Sequence, residues 1–120
     1  MKEELISRMT ILALEIIRLC EHLPKTEAGR IMGKQILRSS TSIGANYRSA
    51  CRARSRADFI SKVTVAEEEA DETQYWLELL HKSGMIGKEE FDRLHTEANE
   101  VTAILVASGR TAKANATRRY

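Results

Sequence analysis

The chain predicts an all-α fold, an antiparallel four-helix bundle running up, down, up and down, on three observations. Apolar residues recur at alternating spacings of three and four, the rhythm of a packed helix seam. Pro occurs once and Gly six times in 120 residues, so there are few places to turn and the elements must be few and long. No stretch alternates apolar and polar residues in the strand manner. A chain of 120 residues is most economically one domain, long enough to bury a core without disulfides or a structural metal.

The first helix is carried by Leu5, Met9, Leu12, Ile16, Leu19 and Leu23 and is stopped by Pro24. Thr26 is the expected N-cap of the second, whose looser stripe of Ile31, Ile36, Ile43, Tyr47 and Ala50 runs to about Arg54. Ser55-Arg56-Ala57-Asp58 resembles a capping box with Asp in place of Glu, so a third helix starts there. Its seam is Phe59, Val63, Ala66, Ala70, Thr73, Leu77 and Leu80, and Gly84 is suited to the position just past its end. Gly87 precedes a fourth seam of Phe91, Leu94, Ala98, Val101, Leu105 and Ser108. The bundle is therefore expected over 1–108, with 109–120 (GRTAKANATRRY) a basic tail that frays for want of apolar content. Helices of about 20–28 residues are roughly 30–40 Å long, and short connections make neighbours antiparallel.

Helix 1 is greasier than a single bundle face requires. Nine of the twelve residues from Met9 to Cys20 are apolar, and Ile11, Leu14 and Ile17 lie off the main seam. A helix apolar around most of its circumference is covered on more than one side, so these three residues are the expected surface of a homo-oligomer; a wide intramolecular core face is the alternative.

The formal net charge of +2 hides a strong division along the chain. Residues 23–62 carry nine bases and two acids, whereas 63–100 carry three bases and eleven acids. The fold must set these blocks against each other or display them apart. Within the basic block lies SSTSIGAN, residues 39–46, a run of mediocre helix formers inside a helix. It costs about 2–3 kcal/mol relative to alanine, and something must compensate. Small side chains let backbones approach closely, and an Asn in such a contact can hydrogen-bond a carboxylate on the facing helix. Asn46 with Glu68, Asp71 and Glu72 is the expected polar contact. Arg48 and Arg52 share a helix face, Arg54 and Arg56 flank the next turn, and Arg118 and Arg119 lie in the tail. Arginines grouped in this way and left in solvent bind phosphate through bidentate forks and general attraction, which makes these six the candidate nucleic-acid-binding residues. If helix 3 carboxylates neutralise Arg48 and Arg52, the chain is a protein-interaction scaffold instead.

From Ser39 to Leu80 the sequence resembles the four-helix-bundle family of 23S rRNA intervening-sequence proteins, also called S23, which includes the accessory variability proteins of diversity-generating retroelements. The resemblance is carried by Ser42-Ile43-Gly44-Ala45-Asn46-Tyr47-Arg48, by Ser55 to Phe59, and by Glu67-Glu68-Glu69-Ala70-Asp71-Glu72 with Tyr75-Trp76-Leu77. It implies a bundle that assembles into a ring-like homopentamer. In the retroelement branch it further implies a basic surface for nucleic acid, RNA or DNA, and a reverse transcriptase partner.

Other chemistry finds little support. Glu78 with His81 and Asp92 with His95 have the carboxylate-x-x-His spacing of di-metal helical bundles, but such a site also needs inward carboxylates from the other two helices, and helix 2 has none beyond Glu27. A metal-dependent enzyme is thus the weakest of the three readings, and neither metal nor cofactor is expected. No G-x-G-x-x-G, P-loop or nucleophile constellation stands out. Tyr75-Trp76 could stack on a base, yet aromatic pairs on helices more often serve core or interface. Cys20 and Cys51 form no C-x-x-C pair, and with acids in MKEELISR where a secretory leader is basic then apolar, a cytoplasmic protein with free thiols is expected.

Overall fold

Each connection is built from local chemistry. The computed structural model describes residues 2–118, the side chains of 116–118 excepted. It comprises α1 (Lys2–Glu21), α2 (Glu27–Cys51), α3 (Arg56–Lys82) and α4 (Lys88–Arg118). Thr26 caps α2, its hydroxyl accepting from the Gly29 amide at 3.1 Å. Gly29 is required there, because a Cβ would lie 2.2 Å from the Pro24 carbonyl oxygen. Ser55 caps α3 in the same way, accepting from the Asp58 amide at 3.0 Å. At the far end of α3, Gly84 takes φ +81°. Its amide donates to the His81 carbonyl while that of Met85 donates to Leu80, the Schellman pattern that satisfies the last free carbonyls of a helix.

Four antiparallel seams close the bundle. Gly44 lies against Met9, where an added methyl would stand 3.5 Å from the Met9 Cβ, and the Cys20 thiol reaches the Gly33 carbonyl at 3.7 Å, so α2 runs back along α1. Ser39 Oγ meets Thr73 Oγ1 at 2.9 Å between α2 and α3, and Gln74 donates to Thr102 at 2.8 Å between α3 and α4. α1 packs only sparsely on α4; that seam is bridged by Arg8, which donates to Glu97 and Glu100, and by Arg93 on Glu15. The result is a rod of 54 × 21 × 21 Å.

All six seam residues predicted for the first helix are buried. In α2, Ile36, Ile43, Tyr47 and Ala50 are buried, but Ile31 is 53% exposed. The seam there passes through Gly29 and Gly33, leaving Ile31 on the outer surface between them. Ser39 and Ser40 are fully buried, so SSTSIGAN supplies a close helix contact sealed by the hydroxyl pair Ser39 to Thr73. α4 corrects the expected boundary at 108: the helix continues through the predicted tail to Arg118. Gly109 is buried, its would-be Cβ 3.7 Å from Val63 Cγ1. Packing at this point outweighs the roughly 1 kcal/mol a helical glycine costs, and the alanines and threonines that follow contain no breaker. No helix among the described residues is long and apolar enough to cross a membrane.

Candidate nucleic-acid interface

The topology gathers the arginines at one end. The C-terminus of α2, the N-terminus of α3, the N-terminus of α1 and the C-terminal part of α4 share this end of the rod. Arg48 is on the last turn of α2, Arg52 is its C-cap, Arg54 is in the connection and Arg56 opens α3. Arg48, Arg52 and Arg54 are exposed and Arg56 is half-buried. Among the described residues none of the four lies within ion-pair distance of a carboxylate, and the nearby Asp58 is taken by Lys62 at 3.2 Å. Arg118 has its backbone in α4, but its side chain and the whole of Arg119 fall outside the described residues.

Elsewhere three arginines are paired, whereas Arg30 donates only to the Lys25 carbonyl and Arg18 and Arg110 have no carboxylate partner among the described residues. Arg8 and Arg93 sit on α4 and α1 carboxylates as described. Arg38 donates to Glu69 at 3.0 Å and to Glu72. Partial burial pushes the Glu72 carboxyl up, but hydrogen bonds from Arg38 and from Trp76 Nε1 at 3.1 Å outweigh it and hold the group below the usual carboxylate range. The same pairing raises Arg38 further above its ordinary value, hydrogen bonding by Glu72 being the larger cause.

These pairings correct the expected contact of Asn46 with α3. Asn46 Nδ2 donates to Ser42 O of its own helix at 2.8 Å. The register that sets Ser39 opposite Thr73 sets Asn46, a heptad later, opposite Ala66, a heptad earlier. Glu72 is thus too far along α3 to reach it and finds Arg38, while Glu68 and Asp71 are exposed and carry no ion pair among the described residues. For the same reason the α3 acids do not neutralise Arg48 and Arg52. The sequence shows both charge blocks; only the register shows that they meet at Arg38 and separate beyond it.

Ile11, Leu14 and Ile17 are 53%, 49% and 38% exposed, so the off-seam face of α1 is left bare by the rest of the chain. Tyr75 and Trp76 pack edge to face at 5.2 Å in the body of α3, about 28 Å along the helix from Arg56, and belong to neither surface. His95 meets Glu78 at 2.9 Å, and His81 stacks on Phe91 at 4.4 Å. No three potential metal ligands gather among the described residues. Cys20 and Cys51 are free thiols, and burial pushes Cys20 up to about 11.

One feature at this end escaped the sequence. A groove of about 600 Å³ opens between the first turn of α3 and the last turns of α4, bordered by Arg56, Phe59, Ile104, Ala112 and Asn115. It exists because α4 continues past Gly109; the helix-compatible TAKANAT, free of Pro and Gly, that follows Arg110 was the available signal.

Comparison with known proteins places these observations. The family model described as 23S rRNA-intervening sequence protein matches residues 2–107. A solved structure from Bacteroides thetaiotaomicron, described as a protein with unknown function from the S23 ribosomal protein family, is similar at 40% identity and a TM-score of 0.82, over 88% of this chain and 97% of that one. A search of curated proteins gives no match. With a family match over residues 2–107 and the same fold in a relative 40% identical, the chain belongs to the 23S rRNA-intervening sequence protein family.

Proposed function

We propose that the protein is a non-enzymatic, homo-oligomeric helical bundle whose arginine rim binds structured RNA, alone or with a nucleic-acid-bound protein such as a reverse transcriptase. The observation that carries this reading is a contrast within one chain. Arg8, Arg38 and Arg93 rest on carboxylates and the unpaired Arg18, Arg30 and Arg110 stand apart in the sequence, whereas Arg48, Arg52, Arg54 and Arg56 fall within nine residues at one end, without carboxylate partners among the described residues. Cations held together there repel one another, and a phosphate backbone relieves that repulsion while its counterions are released. The family description, which refers to an intervening sequence of 23S rRNA, supports the same reading. The bare α1 face supports assembly, because burying Ile11, Leu14 and Ile17 between subunits removes apolar area from water.

Affinity for a structured RNA measured across a salt series tests the reading. Four phosphate contacts give log affinity against log salt a slope of about −3 to −4, using the coefficient for duplexes. A flat slope, or no binding at low salt, contradicts it.

A further inference from the structure

We infer that the groove between α3 and α4 receives one unpaired nucleobase of the RNA held at the rim, so that the preferred RNA carries a bulged or looped-out base instead of an uninterrupted duplex. This inference rests on the rim reading above and specifies its ligand.

The groove is a product of side-chain size. Where Gly109 meets Val63 the α3–α4 seam is closed. Beside this contact and toward the end, α3 presents Phe59 and Arg56 while α4 presents Ile104 and Asn115 with mostly small residues between them, among them Ala107 and Ala112, and a gap of about 600 Å³ remains. That volume falls in the range of about 300–1,000 Å³ typical of small-ligand sites. Phe59 and Ile104 make its walls apolar, which suits the faces of a flat heterocycle. Two groups on its border are polar: the Arg56 guanidinium and the exposed Asn115 amide, which offers both a donor and an acceptor to a base edge.

Position selects a base over other flat or apolar ligands. Arg56 belongs at once to the groove and to the rim, and Arg52 and Arg54 precede it by a few residues. A phosphate bound by these arginines places its own nucleoside at the groove mouth. Bases inside an A-form duplex are out of reach of side chains in the deep, narrow major groove, so protein contacts to base faces require nucleotides that are already unstacked. Stacking on an aromatic side chain tolerates any base and makes a bulge, not a sequence, the feature recognised.

The probe is an RNA hairpin with a single bulged adenosine, compared with the same hairpin fully paired, both titrated against the full chain at one salt concentration. The bulged form is expected to bind about tenfold more tightly, within the stacking range of about 1–3 kcal/mol per base. Ala112→Leu, which fills the groove, and Phe59→Leu, which keeps apolar volume but removes the ring, should each bring the ratio of the two affinities close to one. Circular dichroism melting verifies that both variants fold, and either alone suffices. Equal affinities in the wild-type chain, or a ratio unchanged in a folded variant, overturn the groove assignment and leave the rim reading standing. Failure to bind either hairpin overturns the rim reading and this inference with it.

Discussion

Gly29 and Gly44 look alike in the sequence, since both sit within the second helix, yet the structure gives them opposite consequences. A methyl at Gly29 meets the Pro24 carbonyl oxygen at 2.2 Å, a backbone atom that cannot move aside cheaply. Gly29→Ala should therefore lower stability by about 2 kcal/mol or more, as strained close approaches in packed sites do. A methyl at Gly44 meets Met9 at 3.5 Å, ordinary contact, so Gly44→Ala should be neutral or stabilising by up to about 1 kcal/mol through helix propensity. Urea denaturation of the two variants checks both. Glu72 adds a pH dependence whose sign is fixed: its folded-state ionisation lies below the unfolded value, so its contribution is present above the ordinary carboxylate range and lost as pH falls through the lower folded value. Glu72→Gln should lessen that acid-side loss, by a modest amount because the pair with Arg38 is partly exposed. Cap residues are legible in the sequence because a cap is local: Thr26, Ser55 and Gly84 need only their neighbours within a turn. The partner of Asn46 is not, because Ser42 and a carboxylate on α3 are equally good acceptors until the register decides which is near.

Among the helices, α1 and α4 carry the consequences. The α1 seam follows a strict seven-residue rhythm, and every predicted core position is buried. Its surplus apolar face is legible for the same reason, since Ile11, Leu14 and Ile17 fall where the rhythm leaves them outside. Because these side chains are already exposed in the single chain, Ile11→Lys with Leu14→Lys should change the melting temperature of a lone subunit little. The same pair should reduce the particle mass measured by light scattering, whereas the unmodified chain should exceed the one-chain mass of 13.6 kDa. A wild-type particle of that mass at micromolar concentration contradicts self-association. The end of α4 is hidden from an apolar count, which stops at Gly109, while the helix continues past that buried glycine through residues of adequate propensity. A core pattern predicts where helices pack; it does not predict how far a helix continues beyond its last apolar residue.

For the molecule as a whole, charge is arranged by depth along the rod. Acids and arginines neutralise one another along the α1–α4 and α2–α3 seams, which fastens the sparsely packed α1 to its neighbour. At the α2–α3 connection the sequence supplies arginines faster than the antiparallel register supplies acids, and an electropositive end is left. The most direct measurement compares two double charge reversals of identical net effect for binding to one structured RNA. Arg48→Glu with Arg52→Glu alters the rim; Lys25→Glu with Lys82→Glu alters exposed cations at the opposite end of the rod. The rim reversal is expected to abolish binding and the distal reversal to weaken it only slightly, by long-range attraction screened over about 8–10 Å at physiological salt. Equal losses in the two variants, or binding that survives the rim reversal, would contradict the rim reading.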